Sequence, residues 1–184
     1  MVLMKEGNKL KMTQDIDNLI AKAERMAQKG DDEAAMSMAN DLTTQYPNEM
    51  KVWTLRAYLH RRDRNYSSAI ADLTRAIDIN AKEVESDRDK GILIEVDLFF
   101  NRGTDRFALG DVAAAIDDFT KGLDLSDRSR SDDYRETLLF WRAEALLKLG
   151  KKLEALSDIT QVRDDFSFWT YKLRTKSDLL ADCK

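Results

Sequence analysis

The stretch GDVAAAIDDFTKGLDLS, Gly110–Ser126, decides the fold. It opens on a turn residue, places Ala115 five residues later, and continues with apolar side chains at helical spacing. Close variants stand at 30–46 (GDDEAAMSMANDLTTQY), 65–80 (NYSSAIADLTRAIDIN) and 150–166 (GKKLEALSDITQVRDDF). Self-similarity at such intervals is the mark of a repeat architecture. Gly30, Gly110 and Gly150 each close one apolar-periodic segment and open another, because glycine after a helix takes the left-handed conformation without steric cost. The equivalent of Gly30 one unit of 34 residues later is Arg64, and Asn65 is expected to supply the left-handed residue there.

Around these markers the positions repeat. Eleven residues before them stand Leu19, Trp53, Phe99 and Leu139, with Trp53 expected as a buried anchor. Seven before them stand Ala23, Ala57, Gly103 and Ala143. A large residue followed one turn later by a small one lets two helices cross closely. Five after the markers come Ala35, Ala69, Ala115 and Ala155, then Ala39, Leu73, Phe119 and Ile159 at a second bulky site. Leu42, Ala76, Gly122 and Val162 follow three residues later.

These residues resemble the tetratricopeptide repeat (TPR) family, a 34-residue helix–turn–helix, best at Trp53/Ala57/Ala69/Ala76 and at Phe99/Gly103/Gly110/Ala115/Phe119. Pro47, the only proline, occupies the repeat's closing position, while Leu19 and Leu139 replace the aromatic and Arg64 the glycine. The resemblance implies an all-α right-handed αα superhelix of four helix pairs with a C-terminal capping helix. The expected organisation is a flexible leader at 1–14, an array at 15–167 (repeats 16–49, 50–80, 82–127 and 133–167), and the capping helix at 168–184, with Trp169, Leu173 and Leu180 inward and Lys172, Lys176 and Asp178 in water. Two inserts break the spacing. In the first, Asn80 and Glu83 read as a capping pair that starts a long helix at Ala81, kinked at Gly91. In the second, 126–133, a polar loop precedes the capping pair Asp133 and Glu136.

Composition agrees with helix throughout. The chain has 184 residues, 43% hydrophobic and 35% charged, with seven Gly and one Pro. A net charge of −4 lowers the case for nucleic-acid binding, and none is expected. No stretch reads as a secretory signal or a membrane span, so a cytoplasmic protein is expected. The single Cys183 rules out an intramolecular disulfide and is expected to be exposed, able to form adventitious dimers.

First helices of stacked pairs line an inner groove. Counted from each turn, its positions are Ile20, Glu24 and Ala27; Thr54, Tyr58 and Arg61; Phe100, Thr104 and Phe107; Phe140, Glu144 and Leu147. Tyr58, Phe100, Phe107 and Phe140 make it aromatic, suited to a partner with apolar side chains, or else they pack on the C-terminal helix or on one another. HRRDR, 60–64, reads either as a solvated turn or as a basic groove mouth, with Arg61 and Arg62 pairing to acidic partner residues. The Lys/Asn/Arg pattern by which one TPR subclass grips a C-terminal carboxylate is not matched, so no such clamp is expected.

Catalytic chemistry finds little support. His60 is the only histidine and reads as structural, and no phosphate loop or metal-ligand spacing is present. The acid pairs Asp117–Asp118, Asp132–Asp133 and Asp164–Asp165 read as solvated charge. The sequence therefore points to a non-enzymatic scaffold or chaperone-like binder of a protein or peptide, without cofactor. A regulator or immunity-type inhibitor is the alternative, an enzyme or RNA-binding solenoid is less favoured, and self-association stays open.

Overall fold

The computed structural model of the chain describes residues 2–83, 88–129, 134–169 and 173–184, with side chains for 13–82, 94–127, 134–168 and 173–184. In chain order the elements are α1 (Val2–Gln28), α2 (Asp32–Gln45), α3 (Met50–Arg62), α4 (Tyr66–Glu83), α5 (Arg88–Leu109), α6 (Val112–Ser129), α7 (Arg135–Lys148), α8 (Lys152–Ile159), β1 (Ser167–Trp169), β2 (Leu173–Thr175) and α9 (Lys176–Asp182). The chain divides into two compact units, Met1–Ala76 and Ile77–Lys184.

The four marker turns share one geometry. Gly30, Gly110 and Gly150 have φ of 86°, 95° and 74°, and Arg64 itself, not Asn65, takes the left-handed position with φ 57°. At each turn two backbone bonds close a Schellman motif. Arg64 N–H donates to the Arg61 carbonyl at 2.9 Å and Asn65 N–H to the His60 carbonyl at 2.8 Å, and the Gly110 and Gly150 turns repeat the pattern. Asn65 has a different duty: its side chain accepts from Ser68 N–H at 3.2 Å, as Asp31 does from Ala34 and Asp111 from Ala114. The asparagine therefore caps the next helix.

Packing follows the repeated small and large positions. Ala35, Ala69, Ala115 and Ala155 are wholly buried, and so are Ala39, Ala76, Phe119 and Ile159. In the second unit Gly103 lies under the Phe119 ring, where an added Cβ would stand 2.6 Å from a ring carbon. Gly122 likewise accommodates Leu138, at 2.9 Å. In the first unit Trp53 is half-buried, not a core anchor. Its Nε1 donates to the Pro47 carbonyl at 3.1 Å, and its ring lies between the guanidinium groups of Arg56 and Arg75, at 4.9 and 5.9 Å.

Four boundaries differ from the sequence expectation. Helix α1 starts at Val2, so the backbone of the expected leader is helical. Helix α4 runs through Asn80 to Glu83, and Asn80 is buried within it instead of capping a new helix. Gly91 lies inside α5, which runs to Leu109 as expected. Helix α6 extends to Ser129, with Ser126 buried, so the second insert begins as helix; Asp133 lies outside the described residues.

The fourth difference is at the C-terminus, where an antiparallel pair precedes the last helix and matches Ser167 with Thr175, Phe168 with Arg174 and Trp169 with Leu173. Aromatic and β-branched residues in SFWTYKLRT favour strand over helix. Helix α9 starts only at Lys176, where Thr175 and Asp178 form a reciprocal capping box. Leu173 is 54% exposed rather than inward, while Lys176 is half-buried and donates to the Val162 carbonyl and, at 2.8 Å, to Asp164. That bond holds the exposed Asp164 carboxyl below its usual range. The side chains of Trp169 and Lys172 lie outside the described residues.

Replacing Arg64 by Gly removes the steric penalty of a left-handed non-glycine residue and is expected to raise stability by about 1 kcal/mol. Gly103→Ala, set against the immobile Phe119 ring, is expected to lower it by about 1–3 kcal/mol. Denaturant midpoints of both variants against wild type check the two signs.

Candidate ligand-binding faces

In the first unit the groove positions come from α1 and α3. Ile20 is half-buried and Glu24 exposed. Thr54 donates its hydroxyl to the Lys51 carbonyl at 2.9 Å. Tyr58 is 40% exposed, and Arg61 is half-buried. Arg62, expected at the basic mouth, is committed within the chain. It pairs with Asp32 at 3.0 Å, donates to the Ala27 carbonyl at 3.0 Å, and lies 5.8 Å above the Tyr58 ring. It therefore ties the end of α3 to the turn between α1 and α2.

In the second unit the equivalent positions are filled. Phe140 is wholly buried, with its ring centroid 5.5 Å from that of Phe166. Phe100 meets Phe168 edge-on at 6.5 Å and Tyr134 at 6.1 Å. Phe107 is buried against Trp141 at 5.6 Å, with the Lys148 ammonium 4.6 Å from its ring. Thr104 donates to the Asn101 carbonyl at 2.8 Å. Glu144 is 5% exposed and accepts from Arg174 at 2.9 Å. Burial works to lower the Arg174 pKa, but Asp182 and Glu144 together leave it raised. Of the two sequence readings, packing against the chain's own C-terminal segment describes this unit, and the segment is a hairpin where a helix was expected.

The sequence reading missed a set of charges that positions these helices. Arg56 gives Nε and Nη2 to the two oxygens of Asp72 at 2.8 and 2.7 Å. Arg102 holds Asp118 the same way at 3.0 and 2.7 Å, and Arg142 holds Asp158 at 2.7 Å twice. The aspartates are buried, at 4%, 3% and 4% exposure. Each arginine stands eight residues before its marker and each aspartate eight after, a spacing that the sequence displays. Hydrogen bonding to Asp72 and to Asp158 raises Arg56 and Arg142 further above their ordinary pKa.

The pairs also reach the preceding helix: Arg56 donates to Thr43 at 3.0 Å, and Arg142 to Thr120 at 3.1 Å. Asp118 therefore is not solvated, unlike its exposed neighbour Asp117. A second basic side chain sits four residues before two of the markers. Arg106 meets Asp118 at 2.9 Å, and His60 Nε2 lies 3.8 Å from Asp72, which places the sole histidine beside an ion pair.

Cys183 is half-buried instead of exposed, and burial pushes its thiol pKa up. Among the described residues no three His, Cys, Asp or Glu side chains gather as metal ligands, and no helix is long and apolar enough to cross a membrane.

Residues 51–83 match the tetratricopeptide repeat family model. No curated protein matches the sequence. Among solved structures, a Podosopora anserina putative kinesin light chain with nearly identical TPR-like repeats superposes with a TM-score of 0.67 at 15% identity, over 80% of this chain and 72% of that one. The MamA protein superposes at 0.62 and 14% identity, over 79% and 70%. MamA MSR-1 superposes at 0.60 and 16%, over 79% and 74%. At these identities the likeness speaks for the fold, that of a TPR solenoid.

Asp118→Ala removes the buried carboxylate that Arg102 and Arg106 share and is expected to cost about 3 kcal/mol or more. Asp117→Ala is expected to stay within about 0.5 kcal/mol. Equal shifts in the denaturation midpoint would remove the buried aspartate from its structural role.

Proposed function

We propose that this chain, a tetratricopeptide repeat protein, is a non-catalytic, cytoplasmic scaffold that holds a peptide segment of a partner protein against the first-helix faces of its repeats. TPR scaffolds in general mediate protein–protein interaction. The observation that carries the finer reading is the second unit's face, where Phe166, just before β1, and Phe168 within it pack among Phe140, Phe100 and Trp141. A surface that accepts one extended, aromatic-bearing segment has the chemistry to accept another.

In the first unit the matching position is Tyr58, 40% exposed, with Glu24 exposed and Ile20 and Arg61 half-buried. An exposed tyrosine fixed by a neighbouring guanidinium is a rigid amphipathic anchor, the side-chain type that dominates interface energies. Thr54, Thr104, Arg62 and Glu144 at these faces are held in hydrogen bonds or ion pairs within the chain, and among the described residues none of these is paired as a nucleophile with its base.

The test is affinity capture from the native host, with wild type compared against folded Tyr58→Ser. A partner bound through this face is expected to lose at least about tenfold in affinity, or about 1.4 kcal/mol, in the purified pair. Equal retention by both proteins would move binding away from the Tyr58 face.

A further inference from the structure

The β1–β2 segment meets the helices of its unit chiefly through side chains. Among the described residues its backbone hydrogen bonds run between the two strands and, at their ends, from Phe166 to Arg163 and from Lys176 to Phe166. A two-stranded hairpin is marginal by itself in water, so the order of β1 and β2 depends on the seats of Phe166, Phe168 and Arg174, while the following α9 is anchored separately by the wholly buried Leu179 and by Lys176 on Val162 and Asp164.

One of those seats is incompletely made. Arg56, Arg102 and Arg142 each close on an aspartate with two N–H groups. Arg174 gives Glu144 only Nη2. Arg174 Nε and Glu144 Oε1 are buried without a hydrogen-bond partner among the described residues, and so is Trp141 Nε1. Trp141 packs on Phe168 at 5.9 Å, and Phe168 is the cross-strand partner of Arg174. Arg174 Nε and Glu144 Oε1 therefore lie at the contact between the segment and α7, and the Trp141 ring borders it. Unpaired buried polar groups weaken the contact that buries them. Arg174 also holds Asp182 of α9 at 2.6 Å.

We infer that Phe166 and the strands β1 and β2 are a displaceable internal ligand of the second unit's face, and that a segment with two aromatic side chains in alternation and an arginine displaces them. The inference rests on the reading of that face as a peptide-binding surface. Alternate residues of an extended strand share a side, which suits the Phe166 and Phe168 seats. An arginine that reaches Glu144 through both N–H groups makes the bond that Arg174 leaves unmade. Covalent attachment supplies a high effective concentration, so a loose self-contact still keeps the face covered when no competitor is present.

The experiment uses the full chain and, as probe, a fluorescein-labelled synthetic peptide of residues 163–184 read by anisotropy. The variant Phe166→Ala/Phe168→Ala/Arg174→Ala is expected to bind the peptide at least tenfold more tightly than wild type. Adding Glu144→Gln is expected to weaken that binding at least fivefold. A cooperatively folded triple variant that binds no tighter than wild type overturns the inference.

Hydrogen exchange on the unmodified chain gives a second reading that needs no variant. Amides of 167–169 and 173–175 are expected to exchange at least 100-fold faster than those of α7, and equal protection would make the segment an integral part of the fold and overturn the inference. Peptide binding by the opened chain, with no host protein captured, would sustain the internal ligand and sink the function proposed above.

Discussion

The bidentate arginine–aspartate pair that joins the two helices of a repeat is the constraint on which the other contacts depend. It connects residues 16 apart, across the turn, in three of the helix pairs. Against an apolar pair of similar size its net contribution to stability is small, because both charges lose water. Its geometry is another matter. Two parallel N–H···O bonds tolerate little sliding, so the pair sets how far one helix is displaced along the other. Small residues can then be opposed to large ones, as Gly103 is to Phe119.

Most of the helix-pair arrangement could be read from the sequence because it rests on local rules. Glycine at three turns, alanine five residues later and bulky residues at helical spacing each report a backbone or packing need of the immediate neighbourhood. The misplacements have equally local causes. Asn65 can adopt left-handed backbone, but its side chain gains more as an N-cap, so Arg64 takes the strained position. Asn80 with Glu83 looks like a capping pair, yet α4 runs unbroken through both, with Asn80 buried behind Ile77 and Ile79. The arginine–aspartate spacing was equally visible, but charged residues at helical intervals ordinarily mean a solvated face, and only burial separates Asp118 from Asp117.

The candidate faces were half legible. Counting from the turns identifies Phe100, Phe107, Phe140 and Glu144 as residues on one side of their helices, and in the second unit all of them contact either the C-terminal segment or one another's neighbours. What the sequence reading missed is the form of the covering segment, a strand pair where a helix was expected. Residues 166–175 carry aromatics at a spacing that fits helix and strand alike, and tertiary contacts decide between them. The capping box at Thr175 and Asp178 was the one local sign that the helix begins late.

The first helix pair lacks the staple. Lys22 and Met38 stand at the positions that Arg56 and Asp72 hold in the next pair. A repeat array behaves as a row of weakly autonomous units, each stabilised by itself and by its neighbours. Within the first unit, α1 and α2 are therefore held by apolar packing and by Arg62, without the ionic register that α3 and α4 have. Under mechanical load or during unfolding, that pair is the natural starting end, and loss of order there leaves the ionic register of α3 and α4 intact.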